Sequence, residues 1–153
     1  MNKGWLYRLM RPMNRRMAQN YRKGIGPARK VLLLTTTGRK SGLPRQTPLQ
    51  YEEIDGAFYL GSARGAEADW FRNIQADPQV QVQVGKRCFQ GSAEATTDPA
   101  RIADFFQVRL KRSPVMIGFL MRLEGLPWRY TRADLERFAA HKAMVMVRET
   151  ASI

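Results

Sequence analysis

The chain has 153 residues, 44% of them hydrophobic and 25% charged, which suits one soluble globular domain and excludes a disordered chain or two independent cores. One cysteine, Cys88, excludes an internal disulfide framework, and one histidine, His141, excludes the usual zinc sites. The net charge of +13 is unevenly placed, since residues 1–51 hold 12 basic and no acidic groups, and this points to an anionic partner: nucleic acid, an anionic membrane face or a polyanionic cofactor.

Residues 5–21 set on a helix at about 100° per residue bring Trp5, Leu6, Leu9, Met10, Met13, Met17 and Tyr21 to one face. Arg8, Arg11, Arg15 and Arg22 fall opposite, so residues 1–24 read as a basic amphipathic helix, kinked near Pro12. The order of a secretion signal is not present in it. Gly24-Ile25-Gly26-Pro27 breaks the helix, and residues 25–153 follow as one domain. The apolar run Val31–Leu34, too short to cross a bilayer, opens a strand over 31–37, with a turn over 38–42. A second strand is expected over 46–53, a hairpin at Asp55-Gly56 and a third strand over 57–62. Residues 69–76 suit a short helix stopped by Asp77-Pro78. Gln79 to Val84 alternates polar and Val as a strand, and residues 87–95 return antiparallel to it. Pro99 opens a helix reaching about Leu110, Pro114 to Leu123 forms another, and Thr131 with Asp134 starts a third through a capping box. Residues 143–148 close the chain as a strand. Five or six mostly antiparallel strands joined by tight hairpins, with helices at the ends and in the connections, predict an α+β barrel rather than a doubly wound parallel sheet.

The densest chemistry lies in Thr35-Thr36-Thr37-Gly38-Arg39-Lys40-Ser41-Gly42, with Arg45, Thr47 and Pro48 following. Glycines permit a tight turn with exposed N–H groups, Arg offers a planar fork to phosphate oxygens and Lys a point charge, so this corner could hold a phosphodiester. The spacing is not that of a P-loop, and a solvated basic hairpin is the competing reading. A second candidate, Ser62-Ala63-Arg64-Gly65-Ala66, leaves a strand ahead of Trp70, Phe71 and Asn73. Small residues there admit a flat ring, Arg64 can meet an anion and Trp70 can cover an aromatic face; the competing reading packs Trp70 and Phe71 in the core. No spaced carboxylate pair offers acid–base chemistry, and His141 falls at a helix end, where it caps rather than catalyses.

These residues, LLTTTGRKSGLPRQTPL at Leu33–Leu49, then Ser62–Ala66, Trp70-Phe71-Arg72-Asn73-Ile74 and Asp77-Pro78 with Val80, Val82 and Val84, closely resemble the deazaflavin-dependent nitroreductase and quinone reductase family. The resemblance covers about Val31 to Thr96 and implies a split β-barrel related in fold to FMN-binding oxidases. It implies coenzyme F420 as cofactor, with FMN as the alternative, and hydride transfer to a quinone, nitro compound or activated enone. By the same resemblance Arg39, Lys40, Ser41, Gly42 and Arg45 bind the phosphate and anionic tail, while Thr47 and Pro48 lie along the ring and linker. Ser62, Ala63, Arg64, Gly65 and Ala66, with Trp70 and Asn73, complete the pocket. Ser62 and Tyr130 are the groups expected to orient or protonate the acceptor, and Pro114 to Trp128 reads either as a lid or as packing. The family often has Ala-Ser-Lys-Gly-Gly at Ser62–Ala66, and a tyrosine where this chain has Gln50 ahead of Tyr51, so the substrate side departs first. The expected partners are the deazaflavin and a small hydrophobic electron acceptor, in the cytoplasm. Peripheral contact with the inner membrane face through residues 5–22 and a homodimer are further readings, and nucleic acid is disfavoured because no helix-turn-helix, zinc or RNP signature occurs.

Overall fold

The computed structural model describes residues 31–62 and 64–153. The expected helix over 5–21 and its break at 24–27 lie outside the described residues, as does Ala63. Within them the strands are β1 (Val31–Thr37), β2 (Pro44–Gln50), β3 (Glu52–Ile54), β4 (Ala57–Ser62), β5 (Gln79–Val84), β6 (Arg87–Thr96) and β7 (Ala143–Ser152). The helices are α1 (Asp69–Ala76), α2 (Pro99–Arg112), α3 (Pro114–Leu123) and α4 (Arg132–Ala139), with a 3-10 turn at Gly65–Glu67. There are therefore seven strands in place of five or six: the strand expected over 46–53 interrupts at Tyr51 and becomes β2 and β3. β7 also runs four residues past the expected Arg148, because β6 is long enough to pair with it out to Ser152 across a bulge at Gln90/Gly91.

The strands form one antiparallel sheet in the order β2-β1-β5-β6-β7-β4-β3. Its two outermost strands are consecutive in the chain. The stretch Pro44–Ile54 pairs with β1 through its first half and with β4 through its second, so the bend at Tyr51 curls the sheet back toward itself. Among the described residues β2 pairs with β1 alone, and it contains Pro44 and Pro48, which have no N–H to offer a further strand.

Alternation decides what fills the barrel. Leu32 and Leu34 of β1, Phe58 and Leu60 of β4, Val80 and Val82 of β5, Phe89 and Ala93 of β6, and Ala143, Val145 and Val147 of β7 form its core, joined by Trp70, Phe71 and Ile74 of α1. On β7 the intervening Met144 and Met146 are buried as well, Met144 in a second cluster under α2, α3 and α4. This strand is covered on both faces, which is why Ala143 to Val147 reads as a continuous apolar run. The helices start where their local chemistry says: Asp98 accepts from the N–H of Ala100 with Pro99 behind it, and Thr131 and Asp134 close the expected capping box at 3.2 and 2.9 Å.

Candidate functional site: a basic hairpin corner latched to a helix

The β1–β2 hairpin turns over Gly38–Leu43. The Gly42 N–H donates to the Gly38 carbonyl and the Gly38 N–H to the Leu43 carbonyl, both at 2.8 Å. A side chain at Gly38 would meet Ser41 Oγ at 2.7 Å, and Gly42 sits at φ +70°, so glycine is needed at both ends of this turn. Ser41 Oγ accepts from the Leu43 N–H at 3.2 Å and from Arg45 at 3.5 Å. The turn therefore closes on itself and leaves the N–H groups of Lys40 and Ser41 without a partner among the described residues.

Arg39 does not project with its neighbours. Its N–H donates to Asn73 Oδ1 at 3.2 Å, Nη1 donates to the same oxygen at 2.9 Å, and Nη2 pairs with Asp69 Oδ1 at 3.1 Å. Asn73, 3% exposed, donates from Nδ2 to Thr36 Oγ1 at 3.2 Å. A buried amide thus ties strand β1, the turn and helix α1 together. Lys40 and Arg45 stay exposed, with no carboxylate partner among the described residues. Thr47 and Pro48, half-buried, stand opposite Leu34 and Leu33 on the outer strand β2.

The second segment is built differently from its expectation. Ser62 is buried and its hydroxyl donates to the Gly65 carbonyl at 2.7 Å, which commits its proton to holding the turn. Gly65 is buried, with φ +60°, while Arg64 and Ala66 are exposed. Trp70 is 7% exposed and packs in the barrel core, edge-on to Phe71 at 6.3 Å. Tyr130 is half-buried against the helical cluster, apart from the barrel core, and its hydroxyl makes no hydrogen bond among the described residues. The structure therefore joins Arg39 and Asn73 directly, sets Lys40, Ser41, Gly42 and Arg45 on the same turn, and leaves Tyr130 in the other cluster.

Two features escaped the sequence. Asp69 completes the latch, and nothing local to it announces a partner 30 positions away. A groove also opens at the β2–β3 bend, lined by Gln50, Tyr51, Glu52, Arg109, Ser113 and Met116. Arg109 lies there with its guanidinium 5.7 Å from the Phe105 ring, a buried Nε without a hydrogen bond, and only a 3.4 Å contact from Nη2 to Gln50. Burial pushes its pKa down from the usual guanidinium range, against the attraction of Glu52. No group of His, Cys, Asp and Glu suited to a metal ion occurs among the described residues.

The exposed groups at the corner, an ammonium, a guanidinium, a hydroxyl and the backbone N–H groups of Lys40 and Ser41, can donate to the oxygens of an anion. Comparison with known proteins bears on the same region. A family model described as F420H(2)-dependent quinone reductase matches residues 6–123. An F420H(2)-dependent quinone reductase of Mycobacterium tuberculosis, strain H37Rv, is 35% identical over 66 residues, which are 41% of this chain and 44% of that protein. The match thus spans less than half the length of that relative. Among solved structures, one named F420-H2 dependent reductase aligns with a TM-score of 0.52 at 22% identity, covering 78% of this chain and 95% of the other. A pyridoxamine 5'-phosphate oxidase-like protein of Listeria innocua aligns at 0.56 and 11% identity, covering 92% and 96%. At these identities the two structures speak for the fold alone, and the fold is the α+β split barrel expected from the sequence. Since the family model takes in most of the chain, from the basic leader through α3, this protein belongs to the F420H(2)-dependent quinone reductase family.

Proposed function

We propose that this protein is an oxidoreductase that binds reduced coenzyme F420 and reduces a small hydrophobic acceptor, a quinone before a nitro compound or enone. The observation that carries the reading is the exposed pair Lys40 and Arg45, without a carboxylate partner among the described residues, on a turn tied to helix α1 by the Arg39–Asn73–Asp69 contacts. Membership of the family supports the choice of coenzyme over FMN. When bound, reduced deazaflavin supplies a hydride. The chain supplies position and charge. Lys40, Ser41, Gly42 and Arg45 hold the phosphate and anionic tail, and Arg39 and Asn73 keep them in place. Thr47 and Pro48 lie along the linker and ring, and Arg64 with Ala63 and Ala66 flanks the second anionic region. Ser62 and Gly65 orient that segment, Ser62 through its hydroxyl contact. Trp70 backs the pocket from within the core. Tyr130, whose hydroxyl has no partner among the described residues, donates a hydrogen bond to the acceptor oxygen.

A cytoplasmic setting agrees with the lone free thiol of Cys88. No helix among the described residues is long and apolar enough to cross a membrane. The basic face of residues 5–22 is proposed to meet anionic lipid, on the strength of its sequence pattern.

The test is turnover with reduced coenzyme F420 against a panel of quinones and nitro compounds, beside titration of intrinsic tryptophan fluorescence with the deazaflavin and with FMN. Quinone-dependent oxidation of the coenzyme is expected. Tight FMN binding without deazaflavin binding would reverse the cofactor assignment.

A further inference from the structure

The groove at the β2–β3 bend holds a positive charge that the protein leaves unanswered. Arg109 of α2 enters it half-buried, with its Nε shut off from solvent and without a hydrogen bond among the described residues. Its Nη2 donates only to a neutral group, Gln50 Oε1, across 3.4 Å, which is long for a strong bond. The face of the Phe105 ring, 5.7 Å from the guanidinium carbon, gives it apolar company on one side. A charged donor withdrawn from water in this way calls for a charged acceptor.

The carboxylates nearby are engaged or turned away. Glu52, on the groove wall, is held by Arg112 at 3.0 Å. Glu53 is exposed and has no cationic partner among the described residues, but strand alternation sets it on the face of β3 opposite Glu52. Residues 1–51 contain no acid that could supply one. With Glu52 and Arg112 cancelling, the groove keeps the single charge of Arg109. Burial lowers the pKa of that guanidinium despite the pull of Glu52, so an anion brought against it stabilises the charged form.

The remaining lining indicates what carries the anion. Met116 and Ile117 form an apolar wall, and the Ser113 hydroxyl, which makes no capping bond to α3, is a neutral donor beside them. At about 30 Å³ the groove takes one polar corner of a molecule and leaves the rest outside. Pro48 and Gln50 share a face of β2, about 7 Å apart along the strand. The function proposed above sets Pro48 beside the deazaflavin ring, so the groove opens at the ring's end of β2.

We propose that Arg109 is a specificity-determining residue for the acceptor. The groove seats a negatively charged ring oxygen, and the preferred acceptors are quinones with an ionised hydroxyl beside the reducible carbonyl. That the ligand is the acceptor rests on the coenzyme reading; the anion site itself stands on Arg109 and its neighbours.

The test is calorimetric titration of the full chain, without coenzyme, with two naphthoquinones: lawsone, whose ring hydroxyl is ionised at neutral pH, and menadione, with a methyl group in its place. Lawsone is expected to bind about tenfold more tightly or better. Arg109→Gln is expected to remove that preference while menadione affinity changes less than about twofold, and Arg109→Lys to restore part of it. Met116 is exposed, so Met116→Glu keeps the fold while bringing a carboxylate to the guanidinium, and it is expected to weaken lawsone about tenfold as well. Lys111→Gln removes the same charge from an exposed position two residues along α2 and is expected to change lawsone affinity less than about twofold. A lawsone preference that survives in both Arg109→Gln and Met116→Glu overturns the proposal. So does an equal loss in Lys111→Gln, which would make the preference a matter of overall charge. Loss of the preference in Lys40→Ala/Arg45→Ala also overturns it, because the anion would then sit on the hairpin turn. A chain that holds lawsone through Arg109 yet binds no coenzyme F420 supports the groove site and removes the coenzyme reading alone.

Discussion

Arg39, Lys40 and Arg45 lie within seven positions and carry the same charge, yet they do different things. Arg39 is consumed by Asn73 and Asp69, whereas Lys40 and Arg45 point their charge outward from the turn. Lys40→Ala and Arg45→Ala are therefore expected to weaken coenzyme binding about tenfold each, as the loss of one charge-assisted hydrogen bond does, while the hydride-transfer rate at saturation changes little. Fluorescence titration and single-turnover kinetics separate the two, and wild-type affinity in either variant counts against the phosphate assignment. Asn73→Ala strands the part-buried Arg39 N–H and takes the donor away from the buried Thr36 hydroxyl. It is expected to cost about 1–3 kcal/mol in denaturant unfolding and to lower coenzyme affinity as well, because the turn loses its anchor. A stable Asn73→Ala chain with full affinity would remove the latch from the account. At this scale the residue types single out the turn, but they could not divide the labour among three cations, since the division is made by Asp69 and Asn73 on another element.

At the scale of elements, what was legible was local. The strict alternation of Gln79 to Val84, the proline at the start of α2 and the Thr131/Asp134 box each act within a few residues, and each appears where expected. The break at Tyr51 was not legible, because the polar and apolar pattern runs through it without a glycine or proline; only closure of the sheet demands it. The capping box also carries a pH signature. Hydrogen bonds from the Thr131 backbone, then from Arg137 and the Thr131 side chain, hold the Asp134 carboxyl below the usual carboxylate range. A lowered carboxyl contributes its full stability above that range and loses it as pH falls through the folded value. The stability difference between wild type and Asp134→Asn is therefore expected to be complete at neutral pH and to vanish in acid, as read by urea melts across pH. Thr131→Ala is expected to cost about 1 kcal/mol at neutral pH.

For the whole molecule the charge asymmetry matters more than any single pair. Twelve cations precede the first acid, and the corner at Gly38–Arg45 lies at the end of that stretch. On the proposed reading an anionic coenzyme approaching it is drawn from a distance, over a range that shrinks from about 10 Å at 0.1 M salt to about 3 Å at 1 M. The dissociation constant for coenzyme F420 is expected to rise severalfold between low and high salt while the KM of an uncharged quinone stays level. A salt-independent coenzyme affinity would mean that the basic segment does not steer it.

The outermost strand has one further consequence. Among the described residues no strand pairs with its outer margin, Pro44 to Gln50, and a margin of that kind is the sort of backbone on which neighbouring polypeptides can pile up into fibres. Two imino acids and a guanidinium deny that margin the regular row of donors such stacking requires. The stretch that leads from the basic turn to the bend at Tyr51 is thus also composed against pairing with a neighbouring polypeptide.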